Sequence, residues 1–428
     1  MIIVDNALSQ LEKDGNPIRF GLVGAGYMGR GIALQTLNYV KGIRVAAISN
    51  RTLHEAERAY RQAGAESIVV KELGQLEDTI GRGKYAVTDN PFLLCKSSCI
   101  DAVVEVTGTT EFGLKVVLSA IENKKHVILM NAELDATLGP ILKVYADRAG
   151  VVITDADGDQ PGVIMNLFRW VNTIGFQPVL AGNMKGLQDP YRTPETQKAY
   201  AEQYGQKPRL VTSFADGTKI SMEMAVVANA TGFKTGKRGM YGPRCGHVKD
   251  AIYLFPRDQM LSGGLVDYVL GAEPAPGVFV IGYNENPLQQ QYMNYYKMGN
   301  GPFYCFYTPY HLCHTEVPLT VARAVLFQDA AIAPLGAPVC DVITAAKRDL
   351  NAGEVLDGVG GFTCYGVLEN YEVSKGEKLL PMGLSQGCRL KKNIDRDQVI
   401  TYDDIALPEA RMCDRLRAEQ DAFFGGKS

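Results

Sequence analysis

Gly24, Gly26 and Gly29 stand at GxGxxG spacing directly after the apolar run 18–23. That spacing suits a dinucleotide. The first glycine permits a tight turn, the second lets the backbone approach a pyrophosphate, and the third lets a helix pack against the strand it follows. A helix opening at Tyr27 and Met28 then turns free N–H groups and a positive dipole end toward the phosphates. Alone the motif is a weak signal; the strand before it and the apolar run 44–48 after it make it specific. That second run leads into Asn50-Arg51-Thr52, with no Asp or Glu to accept from a ribose 2′-hydroxyl. An arginine at this strand end pairs with a 2′-phosphate, so NADP(H) is the expected cofactor. Ligands of open parallel sheets bind beyond the carboxyl ends of the strands. Thr107 and Gly108, and Asn131 with Glu133, close the next runs and join the expected cofactor loops.

Hydride exchange with a carbonyl needs a proton partner. Lys185 follows an apolar segment at 178–181, and a lysine partly withdrawn from water gives up its proton nearer neutrality. Asp157 and Asp159 sit where the first pattern ends. They can orient a substrate hydroxyl, hold Mg²⁺ or Mn²⁺, or simply cap the helix that follows. Glu223, between two methionines in an apolar stretch, is a second catalytic or metal-ligand candidate beside Asp159. The glycine-rich stretch 231–244 carries Lys234, Lys237, Arg238 and Arg244, and suits a phosphate or carboxylate if it is not a solvated loop. Cys305, His311, Cys313 and His314 match no standard zinc spacing and lie among aromatic residues, which points to packing.

The elements that must hold these groups fall into three parts. Residues 1–157 alternate Val/Ile-rich runs with helical stretches, which predicts a Rossmann-type parallel sheet with helices on both faces. Residues 158–334 read as an α+β substrate domain, with helices at 163–173 and 315–327 and a strand at 219–229. Residues 335–428 read as a small, mostly β domain ending in a helix over 408–424.

The 428 residues suffice for two or three domains. A net charge of −3 gives no support to nucleic-acid binding. Nine scattered cysteines in so long a chain argue against a secreted disulfide framework. The first fifteen residues lack the order of a signal peptide, and no apolar run reaches the roughly 18 residues a membrane helix needs. The expectation is a cytoplasmic protein with a small-molecule substrate, no nucleic acid and no membrane.

The runs 18–29, 104–110 and 125–131 resemble homoserine dehydrogenase. A closer resemblance is to the 1-deoxy-D-xylulose 5-phosphate reductoisomerase-like branch of that family, which carries a C-terminal SAF-type β domain. Its matches lie at 130–140, 222–232, Tyr241-Gly242-Pro243-Arg244, 301–303, 309–312, 316–323, 346–354 and 380–384, nearly the whole chain. The resemblance implies NADPH-dependent conversion of that ketose phosphate to 2-C-methyl-D-erythritol 4-phosphate, an anionic substrate, a homo-oligomer and a SAF-like C-terminal domain. It also places an active-site lysine in the region of Lys185. Where enzymes of the reductoisomerase type carry Asp-Glu-Pro, this chain has Asp159-Gln160-Pro161.

Overall fold

The computed structural model describes residues 2–425. Their contacts divide the chain into two compact units, 1–159 with 312–333, and 160–311 with 334–428. The sequence divides the chain into three parts at 157 and 334; in the structure 312–333 goes with the first unit and 334–428 with the second.

The first unit is built on seven strands: β1 (Ile18–Val23), β2 (Ile43–Ser49), β3 (Ser67–Val69), β4 (Tyr85–Thr88), β5 (Ala102–Glu105), β6 (His126–Leu129) and β7 (Ile153–Asp155). Their order is β3-β4-β2-β1-β5-β6-β7, and every pairing is parallel. Phe20, Leu22, Ile48, Val104 and Ile128 are wholly buried, which is why these strands read as continuous apolar runs rather than alternating ones. The chain reverses direction in the sheet between β1 and β5, so the loops after β1 and β5 open at a topological switch point. The helix Val317–Phe327 also belongs here. Val317, Val321, Ala322 and Ala324 enter the same core as Phe20 and Leu22.

The second unit holds β8 (Gln177–Lys185), β9 (Leu265–Leu270), β10 (Val278–Tyr283) and β11 (Phe303–Thr308), ordered β11-β10-β8-β9. β8 and β9 are parallel and the other pairs antiparallel. Its last part is small and mostly β. There β12 (Cys340–Ala346) pairs antiparallel with β13 (Cys364–Asn370), and β14 (Arg389–Leu390) with β15 (Ile405–Ala406). The terminal helix runs Met412–Gly425.

One expectation is overturned. The stretch 219–229 is a helix, Thr218–Thr231, not a strand. Its caps are Gly217 (φ +90°) and Gly232 (φ +80°), both in the left-handed region that glycine adopts most readily. Every residue from Thr218 to Ala230 is buried, so no polar face remains to reveal the 3.6-residue period. Glu223 therefore projects from a helix.

Candidate active site

In the first unit the glycines sit where the spacing implies. Gly24 has φ +113°, and its N–H bonds the Ser49 carbonyl at 2.8 Å. A Cβ on Gly29 would come within 2.1 Å of the Gly24 carbonyl oxygen, so the close crossing of strand and helix admits no side chain. A Cβ on Gly26 would meet nothing within 4 Å. This is the open side, and here the helix Tyr27–Tyr39 begins with no side chain capping its N–H groups. Tyr27 is exposed and Met28 half-buried beside it. Asn50 locks the turn: its Oδ1 accepts from Ala25 N–H at 3.1 Å, and its Nδ2 donates to the Thr52 carbonyl at 2.9 Å. Arg51 and Thr52 are exposed, and Arg51 enters no ion pair among the described residues. The open backbone at Gly26, the uncapped N–H groups of the helix and the exposed Arg51 fit the phosphates of a nicotinamide dinucleotide.

The loop after β5 carries Thr107, whose hydroxyl lies 3.1 Å from that of Thr109, and Gly108 at φ +66°. Asn131 is wholly committed within the protein. It caps the helix Ala132–Ala149 by accepting from Leu134 N–H at 3.2 Å, and donates to Glu105 Oε2 at 2.7 Å and to the Thr109 carbonyl at 3.2 Å. It holds the two loops together. Glu133 is buried in the first turn of that helix. Glu105, at the end of β5, is the buried carboxylate at the centre. Burial raises its pKa, against hydrogen bonds from Thr107 and Asn131.

Asp157 is committed as well. Its carboxylate pairs with Arg323, which also binds Asp329 at 2.6 Å, and its N–H bonds Thr320 Oγ1 at 2.9 Å. Asp157 thus anchors the returning helix Val317–Phe327. Asp159 accepts from the Cys313 thiol at 3.6 Å. Between them Gly158 leaves room for the Leu312 carbonyl, which a Cβ would approach to 2.4 Å. Of the Cys/His group, Cys305 is buried and donates to the Val248 carbonyl at 3.4 Å, while His314 packs over Gly31 of the glycine-loop helix.

In the second unit, Lys185 ends β8 and is mostly buried, its side chain 18% exposed. Its ammonium donates to Gln160 Oε1 at 2.6 Å and pairs with Glu223 Oε2 at 3.2 Å. Asn183, two residues earlier and so on the same face of the strand, donates to the same two oxygens at 3.1 and 3.0 Å. Two donors and two acceptors form a closed square. Gln160 comes from the start of the helix Gln160–Thr173 and Glu223 from the helix Thr218–Thr231. An ammonium has three N–H donors. Two are spent in the square, which leaves one. The sequence reading named Lys185 and Glu223 but gave Asn183 no part, although the i, i+2 rule for strands already put it beside Lys185. A divalent ion fits poorly at Glu223, because a lysine and an amide already occupy its Oε2.

The glycine-rich stretch 231–244 has most of its cations engaged. Arg238 reaches Glu369 at 2.6 Å and Glu377 at 2.7 Å, Lys234 stands 3.8 Å from Glu372, and Lys237 lies over the Tyr241 ring at 5.2 Å.

Comparison with known proteins bears on this second unit most directly. Residues 158–317 match the family model described as oxidoreductase DRL, catalytic domain. The chain is also similar to homoserine dehydrogenase of Methylobacillus glycogenes, 32% identical over 28% of this chain and 26% of that one. With homoserine dehydrogenase of Neisseria gonorrhoeae it is 29% identical over 32% of this chain and 28% of the other. The comparisons support an oxidoreductase. The matches span little more than a quarter of either relative's length. Among solved structures, 1-deoxy-D-xylulose 5-phosphate reductoisomerase from Zymomonas mobilis, in complex with NADPH, aligns at 18% identity and TM-score 0.33 over 49% of this chain and 56% of that one. No described helix is long and apolar enough to cross a membrane.

Proposed function

We propose that the protein is an NADPH-dependent oxidoreductase that reduces a small, hydroxylated, anionic carbonyl compound. The observation that carries this reading is Lys185, an ammonium fixed by Gln160, Glu223 and Asn183 with one donor to spare, inside the segment that matches an oxidoreductase catalytic domain. The dinucleotide is assigned to the first unit, at Gly24, Gly26, Gly29, Asn50, Arg51 and Thr52; when bound it supplies the hydride. Lys185 donates a hydrogen bond to the carbonyl oxygen and passes a proton to it as negative charge develops there. Glu223 and Gln160 keep the ammonium in one place, which removes the cost of orienting it during the reaction. Asp157 is assigned to the anchoring of the first unit. Asp159 stays a candidate for orienting a substrate hydroxyl, and no step is routed through a metal.

The named form of the proposal is reductoisomerisation of 1-deoxy-D-xylulose 5-phosphate, supported by the sequence resemblance, which also supports a homo-oligomer and a SAF-like C-terminal region; the scattered cysteines favour a cytoplasmic location. The test is NADPH oxidation with that ketose phosphate, with and without Mg²⁺ or Mn²⁺, with the product identified. Formation of 2-C-methyl-D-erythritol 4-phosphate is the expected result. The similarity to two homoserine dehydrogenases favours a second reading, a dehydrogenase of small amino-acid or sugar-acid carbonyls. Turnover of L-aspartate 4-semialdehyde without turnover of the ketose phosphate would select it.

A further inference from the structure

Beyond β9 the chain adds one more strip to the sheet of the second unit. Leu270 N–H bonds the Pro243 carbonyl at 2.9 Å and Cys245 N–H bonds the Leu270 carbonyl at 3.2 Å, which brackets Arg244 in parallel register with Leu270. Leu270 is in turn the register partner of Lys185. Lys185, Leu270 and Arg244 thus form one row across three adjacent segments. Residues of one row share a face of the sheet, so Arg244 projects on the side where Lys185 meets Glu223 and Gln160.

The strip is held firmly just before this position. Asp267 Oδ2 accepts from Tyr241 N–H at 2.8 Å, and its Oδ1 from Gly242 N–H at 2.9 Å and Tyr268 N–H at 2.8 Å. Gly242 has φ +55°, and a Cβ there would come within 2.3 Å of the Tyr268 hydroxyl. One row back from Lys185, Tyr268 is the partner of Asn183. The result is a shelf two rows deep, with Asn183, Tyr268 and Gly242 behind and Lys185, Leu270 and Arg244 at the edge. Along the stretch 231–244, Lys234, Lys237 and Arg238 are engaged by acids or a ring. Arg244 is exposed and enters no ion pair among the described residues.

We propose that Arg244 is the specificity residue for the anionic end of the substrate whose carbonyl Lys185 receives. This rests on the proposed reductase reading and deepens it. Two strand spacings, about 10 Å, separate the backbones of Lys185 and Arg244, and both side chains are long, so the span suits a carbonyl and an oxyanion group joined by a short carbon chain. A guanidinium grips a phosphate or a carboxylate through two parallel N–H bonds, a geometry an ammonium cannot copy.

The experiment uses protein saturated with NADP⁺, so that phosphate sites of the first unit are filled. Line broadening of inorganic phosphate in ³¹P NMR is compared among wild type, Arg244→Ala and Arg244→Lys, with malonate as competitor to distinguish a carboxylate preference. Broadening in the wild type that vanishes in Arg244→Ala and partly returns in Arg244→Lys is the expected result. Equal broadening in wild type and Arg244→Ala overturns the proposal, as does none in either. In parallel, KM is measured for 1-deoxy-D-xylulose 5-phosphate and for its phosphate-free form. Arg244→Ala is expected to raise the first tenfold to a hundredfold more than the second, on the order of one charge-assisted hydrogen-bonded contact. Turnover with an unchanged KM ratio removes Arg244 from the site and leaves the reductase standing. Phosphate binding that depends on Arg244, without hydride transfer to any carbonyl, keeps the anion site and removes the reductase.

Discussion

Lys185 and Glu223 are coupled in two ways that substitution can separate. Lys185→Met removes the proposed proton donor and also leaves Glu223, 4% exposed, without its cation. Turnover is expected to fall by about 10²–10⁴, and unfolding stability by about 3–5 kcal/mol, the usual cost of stranding one member of a buried pair. Adding Glu223→Gln removes the stranded charge. The double variant should recover most of the denaturant midpoint and none of the turnover, while nucleotide affinity, read by NADPH fluorescence, stays at the wild-type value throughout. Recovery of turnover in the double variant would remove Lys185 from the chemistry. At the other site, Arg51→Ala is expected to weaken NADPH binding by about 1.5–3 kcal/mol, the worth of hydrogen bonds to a charged group, and to leave NADH binding unchanged. Equal losses for the two nucleotides would mean that Arg51 does not meet the 2′-phosphate.

At the scale of elements, the helix Ala132–Ala149 carries a pH signature. Burial pushes the carboxyl of Asp135 up to about 7. The folded protein therefore holds this proton more tightly than the unfolded chain, whose value is near 3.8. The stabilisation is full below that lower value and is lost as pH rises to about 7. Asp135→Asn should flatten the fall in thermal midpoint between pH 5 and pH 8, and raise the midpoint at pH 8. An unaltered slope would assign the pH dependence to other groups. The elements also differ in how openly the sequence announced them. The glycine loop was legible because each glycine answers a local steric demand, down to the 2.1 Å approach at Gly29. The helix Thr218–Thr231 was not, because burial all round erased its period, and its partial alternation passed for a strand. Asp157 looked like half of a catalytic carboxylate pair. Its partner Arg323 lies 166 residues away, and nothing near Asp157 announces it. Lys185 is legible from its place after an apolar run; the square around it takes Gln160 and Glu223 from two helices that only the fold brings to β8.

At the scale of the molecule, stability in the second unit depends on tying distant segments together. Lys347 is 4% exposed and donates to Asp216 Oδ2 at 2.9 Å, the Arg192 carbonyl at 2.7 Å and the Gly361 carbonyl at 2.9 Å. All three ammonium donors are satisfied, and the mostly β tail is joined to the turn that starts the helix Thr218–Thr231. Lys347→Met should cost about 3–5 kcal/mol in chemical unfolding, since Asp216 is left buried; Lys347→Met with Asp216→Asn should recover part of it. A loss below about 1 kcal/mol for the single variant would show that water reaches Asp216 and that the tie is dispensable.

The return of residues 312–333 to the first unit has a consequence for how the chain is made. The Rossmann sheet emerges from the ribosome early, but Val317, Val321, Ala322 and Ala324 belong to its core, and they are translated only after some 150 residues of the second unit, 160–311. At about 5–20 residues per second, the nascent sheet waits on the order of ten seconds or more with that apolar surface uncovered. During that interval, holdase chaperones and aggregation compete for the patch that the late helix will seal.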